Sequence, residues 1–154
     1  MTDIIKRADI ITAARSYIGT PFVHQGRNRA TGLDCIGLIW NVARDVGYDY
    51  QMVNNYSSSP NGARVRAGAD NALLTPERQG YNKLMPGDVF LVWVSRPGEP
   101  QHFGVVGTMS GYLTAIHAFQ KVGRVVEHRL VDFWQDRYFK TYLIPGTENP
   151  EGIA

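Results

Sequence analysis

The apolar residues of this chain change their spacing once, at Met85-Pro86-Gly87, and that switch governs what it can fold into. Before it, Ile4, Ala8, Ile11, Ala14 and Ile18 recur at three- and four-residue intervals. This predicts an amphipathic helix, with Thr2 or Asp3 as its cap and Gly19-Thr20-Pro21 as its end. Phe22 to Leu33 is rich in chain breakers and polar residues and reads as a loop. Helical spacing resumes after Asp34-Cys35 with Leu38, Ile39, Val42 and Val46 and stops at Gly47. Cys35 therefore falls in the first turn of a second helix. Tyr48 to Asn82 is polar, but Ser59-Pro60 reads as a helix start, and Val65, Ala69, Ala72 and Leu73 mark one face of a third helix.

After the switch the runs are β-rich: Val89 to Val94, His102 to Thr108, Tyr112 to Ala118, Arg124 to Leu130 and Tyr138 to Ile144. Turn signals at Pro97-Gly98, Ser110-Gly111 and Gly123 separate them. Most of these connections are too short for crossover helices. The expected class is therefore α+β, with N-terminal helices packed on an antiparallel β-sheet. Residues 1–145 form the expected domain, and 146–154 read as a loose C-terminal tail.

Composition narrows the chemistry. At 154 residues, with 44% hydrophobic and 19% charged residues, one domain can bury a core without staples, which excludes a disordered chain. A single cysteine excludes an intrachain disulfide and any sulfur-rich metal site, and leaves room for a reactive thiol. Sixteen Lys plus Arg against fourteen Asp plus Glu give a charge of +2 with no basic run, so nucleic acid is not an expected partner. Met1 to Ile18 lacks the continuous apolar stretch of a secretory signal, and no segment has the roughly 20 apolar residues of a membrane span.

A lone cysteine is most often a small buried hydrophobe. In the first turn of a helix, however, it faces unpaired backbone N–H groups that favour thiolate and can receive an oxyanion. Gly37 costs helix propensity there, consistent either with close approach of a ligand or with tight packing. A cysteine nucleophile needs a base, and His24, His102, His117 and His128 are the candidates. His102 opens a strand beside a loop, and His117 lies in the next strand. A hairpin turning at Met109-Ser110 sets the two directly opposite, roughly 5 Å apart at Cβ, and one turning at Ser110-Gly111 sets them diagonally on one face. A three-residue turn without a bulge puts them on opposite faces. On the first two registers one ring takes the Cys35 proton and the other holds the first in the right tautomer. His128, between Glu127 and Arg129 in an alternating run, competes as base. His24 either helps bind substrate or caps its turn.

Five strings in order resemble the signature of the NlpC/P60 cysteine peptidases: Gly19-Thr20-Pro21-Phe22, Asp34-Cys35-Ile36-Gly37-Leu38, Met85-Pro86-Gly87-Asp88-Val89, His102-Phe103-Gly104-Val105-Val106 and Ile116-His117-Ala118. The resemblance spans roughly Ile4 to Ile144. It implies a papain-like α+β fold, Cys35 as nucleophile, His102 as general base and His117 as the orienting residue. It implies neither metal nor cofactor. The implied reaction is cleavage of peptidoglycan stem peptides, typically between γ-D-glutamyl and a diamino acid. Asp34, His24, Phe22, Ile36 and Gln101, which flank the nucleophile and the base, are the expected substrate-binding residues.

Two departures stand out. The family's serine after the nucleophile is Ile36 here, and its tyrosine with paired glycines is Phe22-Val23-His24-Gln25-Gly26. In related enzymes the acidic residue before the cysteine and that serine help hold the free amine of the stem. Asp34 is kept and the serine is not, so the need for a free L-alanyl amine is left open by the sequence. Pro21 to Arg27 with Gly32-Leu33-Asp34-Cys35 is similar to the branch found in bacteriophage and prophage tail clusters. That similarity implies a protein made in the bacterial cytoplasm and carried in a virion tail, with tail proteins as partners. Two other readings compete: a tail or tail-assembly component with little activity, and a thiol amidase or acyltransferase acting on a non-wall substrate.

Overall fold

The computed structural model describes residues 4–51, 56 and 62–149. Helices α1 (Arg7–Arg15), α2 (Cys35–Asp45) and α3 (Ala63–Ala72) precede a 5-stranded sheet whose strands all pair antiparallel. Its strands are β3 (Val89–Val92), β4 (His102–Met109), β5 (Tyr112–Phe119), β6 (Arg124–Arg129) and β7 (Tyr138–Tyr142), in the order β6-β5-β4-β3-β7. The α+β class and the helix-to-strand switch are as expected. A two-residue pair, β1 (Arg27–Asn28) with β2 (Gly32–Leu33), a 3-10 turn at Tyr81–Lys83 and a four-residue α4 (Asp132–Gln135) were not anticipated, being too short to carry a period.

The apolar face of α1 is not the expected one. Ile11 and Ala14 are buried, but Ile4 is 57% and Ile18 47% exposed, and the core side is Arg7, Ile10, Ile11, Ala14 and Tyr17. In so short a helix two apolar stripes compete, and the charge on Arg7 hid its burial. The expected caps, Thr2 or Asp3 and Ser59-Pro60, lie outside the described residues. The observed α3 begins after Gly62 in a left-handed conformation, φ 67°.

Alternation along the strands builds a core on each sheet face. On one, Val89, Leu91, Phe103, Val105, Ile116 and Ala118 meet Ile10, Ala14, Leu38 and Val42 of the helices. On the other, Phe90, Val92, Val106 and Ala115 pack with Leu84 and Trp134. Gly37 is explained by packing: a Cβ there would lie 2.2 Å from the Gly26 carbonyl oxygen. Residues 146–149 are tied in, contrary to the expected loose end. Ile5 N–H donates to the Gly146 carbonyl at 2.8 Å, Arg7 N–H to Glu148 Oε1 at 3.0 Å, and Thr147 is fully buried.

The β4–β5 turn decides the site. Ser110 (φ 52°) and Gly111 (φ 83°) are both left-handed, as a two-residue type I′ hairpin requires. Met109 therefore pairs with Tyr112, and Val105 with Ile116. His102 and His117 fall diagonally on one face, the second of the three anticipated registers. Extended, this register sets Gly104 opposite His117, and a Cβ at Gly104 would come within 2.3 Å of the Phe90 ring and 3.1 Å of His117 Cβ. Glycine there keeps space for the ring pair.

Candidate active site

Helix α2 starts at the nucleophile because Asp34 caps it. Its backbone is extended, its carbonyl accepts from Leu38 N–H at 2.9 Å, and its Oδ1 accepts from Gly37 N–H at 2.9 Å. A cleft of about 220 Å³ opens beside this helix end. Phe22, His24, Asp34, Cys35, Ile36, Gln101 and His102 all line it. Of the expected site residues only His117 does not; it is fully buried behind His102. Tyr56, Arg96, Phe119 and Lys121 complete the wall.

The Cys35 thiol donates to the Gln101 carbonyl, Sγ to O 3.7 Å, so the sulfur rests against the backbone that carries His102. The Phe103 and Ile36 amides face it and favour thiolate. Burial and then the Asp34 carboxylate outweigh them and push the thiol up to about 12. Burial pushes His102 down to about 4, with the nearby His128 adding to it. Both shifts favour a neutral thiol beside a neutral imidazole, opposite in direction to the thiolate that a helix start favours. Alkylation of Cys35 by iodoacetamide at pH 7 should be slower than that of free cysteine and still rise beyond pH 9. A rate already on a plateau below pH 6 would instead show a preformed ion pair.

His102 Nε2 lies 2.6 Å from His117 Nδ1, so Nδ1 is the ring nitrogen of His102 that His117 does not engage. The arrangement continues beyond the expected pair to His128, which by sequence is only a competing base: His117 Nε2 lies 2.7 Å from His128 Nε2, and His128 Nδ1 lies 3.0 Å from the Arg129 carbonyl. Aromatic rings shield this chain. Phe119 stacks on His117 at 4.8 Å, and Trp134 stacks on His128 at 5.8 Å and meets His117 edge-on at 5.4 Å. This apolar wall is why burial dominates at His117, which is pushed down to about 2.

Asp34 is wholly engaged within the protein. Beyond the cap, Oδ1 accepts from Arg27 Nη1 at 2.9 Å, and Oδ2 accepts from Gln25 N–H at 2.9 Å and from the Tyr56 hydroxyl. Arg27 Nη2 donates to that hydroxyl at 2.6 Å, closing an Arg27–Asp34–Tyr56 cluster that no periodicity marks: Arg27 and Asp34 are joined through a loop and Tyr56 arrives from 22 residues beyond Asp34. His24 is exposed and sits edge-on to Tyr56, with ring centroids 5.5 Å apart. Among the described residues, no group of three or more His, Cys, Asp or Glu side chains could hold a metal ion.

Solved structures share this architecture. A lipoprotein-like protein of the NLP/P60 family from Staphylococcus aureus superposes with a TM-score of 0.63 at 18% identity over 93% of this chain. The NlpC/p60 domain of the peptidoglycan hydrolase SagA gives 0.54 at 24% identity, covering 89% of this chain and 97% of that domain. The fold is that of an NlpC/P60 domain. An N-acetylmuramoyl-L-alanine amidase from Bacteroides uniformis has the same NlpC/P60-like fold, with a TM-score of 0.60 at 14% identity over 88% of this chain and 96% of its own. The chain spans only 42% of the staphylococcal protein and 40% of an NlpC/P60 family protein from Bacillus cereus. No protein-family model matches the sequence, and no curated protein does.

Proposed function

We propose that this chain is a cysteine hydrolase of the NlpC/P60 family that cleaves amide bonds in the peptide stems of bacterial peptidoglycan. The observation that carries the chemistry is the one cysteine at a helix start, in one cleft with an imidazole whose far nitrogen is held by a second imidazole. As a carbonyl carbon enters, the Cys35 proton passes to His102 Nδ1 and the Sγ–C bond forms. The oxyanion is received by amides at the start of α2. His102 then returns the proton to the departing nitrogen as the C–N bond breaks, leaving a thioester. Water adds to the thioester as His102 takes one of its protons, the Sγ–C bond breaks as His102 passes that proton to the sulfur, and the carboxylic acid leaves and ionises in solvent.

The substrate reading rests on the wall-hydrolase names among the structures of like fold, together with the ordered strings of the sequence. The γ-D-glutamyl–diamino acid bond is the proposed target, and Lys121 at the cleft suits a stem carboxylate, whereas Arg96 there faces Glu99, Nη1 to Oε1 3.8 Å. Phe22, His24, Ile36 and Gln101 are the proposed substrate contacts. With Asp34 ion-paired to Arg27, and Ile36 offering no hydroxyl, the site makes no demand for a free amine. A role in a phage or prophage tail is supported by the likeness of Pro21 to Arg27 and Gly32 to Cys35 to that branch.

Mass spectrometry of sacculi digested with the protein tests the reading. New termini at γ-D-glutamyl residues are expected, and N-acetylated stem peptides should be cut at rates comparable to free ones. Release of the whole stem from muramic acid would instead establish an amidase. Intact sacculi and stems would leave a binding or structural role.

A further inference from the structure

His128 touches neither the cleft nor the sulfur, yet it completes a line of three rings. The β5–β6 register pairs Ala115 with His128, which sets His117 diagonal to His128, the same offset that relates His102 to His117. Two successive strand pairs with equal offsets thus aim one imidazole at the next across β4, β5 and β6. The ring nitrogens meet at 2.6 Å and 2.7 Å.

The last contact gives the line a direction. The Arg129 carbonyl can only accept, so the hydrogen on His128 lies on Nδ1, which donates to it at 3.0 Å. With neutral rings, His128 Nε2 is then an acceptor, and the facing His117 Nε2 must donate. His117 Nδ1 is left to accept, and His102 Nε2 must donate to it. The lone pair of His102 is thereby placed on Nδ1, the one nitrogen that can take a thiol proton. Reversing the buried His102–His117 link leaves two donors or two lone pairs facing each other beside Phe119 and Trp134, and the same mismatch follows at the part-buried His117–His128 link. We propose that His128 is a positioning residue, which transmits the polarity of the Arg129 carbonyl through His117 and so fixes the tautomer of His102 in which it can act as base.

This role rests on the reading of His102 as the base, but its test does not need turnover. Ring nitrogen NMR of the wild-type protein near pH 8 should show His102 and His117 protonated on Nε2 and His128 on Nδ1. His128→Leu removes the acceptor, and His102 should then populate both tautomers. His128→Gln supplies an amide oxygen to His117 Nε2 and should restore the wild-type pattern. Where stem peptides are cleaved, His128→Leu should lower kcat about 10- to 100-fold with KM little changed, and His128→Gln should recover most of it. A wild-type His102 protonated on Nδ1, or a His128→Leu protein with wild-type tautomers, would overturn the proposal. The expected tautomers in a protein that cuts no stem peptide would keep the positioning role and discard the substrate.

Discussion

Cys35→Ala should abolish hydrolysis, with a loss of at least about 10⁴-fold, while leaving thermal stability close to that of the parent. Cys35 is half-buried at the cleft wall, and the hydrogen bond its thiol donates to the Gln101 carbonyl is a weak contact, so removing the sulfur opens no large cavity. His102→Ala should fall nearly as far, because nucleophile and base act as a unit and the thiol, held near pKa 12, cannot ionise at neutral pH without a proton acceptor. His117→Ala should lose less, about 10³-fold, since it orients the base without receiving the proton. Steady-state rates on a defined stem peptide, read beside melting curves, check the series. If His117→Ala proved worse than His102→Ala, the two rings would exchange roles. Activity surviving in Cys35→Ala would move the chemistry elsewhere.

Asp88→Ala is expected to destabilise the fold by about 3 to 5 kcal/mol and to lower the melting temperature by roughly 10 °C or more. Asp88 is fully buried, and its carboxylate holds two guanidinium groups: Arg7 at 2.7 Å, and Arg78 at 2.8 and 2.9 Å. Met85 N–H also donates to it at 2.8 Å. The carboxylate thus ties α1 to the entry of β3. Removing it leaves two cations in a desolvated place, and the cost of that uncompensated charge exceeds what the pair contributes over an apolar isostere. Denaturant or thermal unfolding of Asp88→Ala checks the loss. A change within 1 kcal/mol would mean that water reaches the arginines.

Much of this site was legible before any coordinates. Strand boundaries followed from β-rich runs between turn residues, and the helix carrying Cys35 from Leu38, Ile39 and Val42. Hairpin geometry limits His102 and His117 to three registers, and the left-handed Ser110-Gly111 turn of the structure selects the diagonal one. Signals failed where two local cues competed or where the partners were distant. The two stripes of α1 could not be ranked because the burial of Arg7 depends on Asp88, far along the chain. Asp34 was legible as a neighbour of the nucleophile, but not as a carboxylate consumed by Arg27, Gln25 and Tyr56. The ionisation of Cys35 was misjudged because a helix N-terminus is a local cue, whereas burial is a property of the whole cleft. His128 was weighed as a rival base, since no pattern in the sequence shows that two strand registers share one offset.

The order of the main helices and strands and the placement of the sole cysteine at a helix start were thus determined by the sequence itself, which also limited the two histidines to three registers. Each is set within a few residues by spacing, caps and turn chemistry. Only the tertiary structure decided the histidine register and the surroundings of these groups: a thiol pushed up by burial, an Asp34 ion-paired to Arg27 and a line of imidazoles with one polarity. Desolvation and hydrogen-bond direction depend on what packs against a residue from elsewhere in the chain, and Phe119, Trp134, Arg27 and the Arg129 carbonyl come to the site only through the fold.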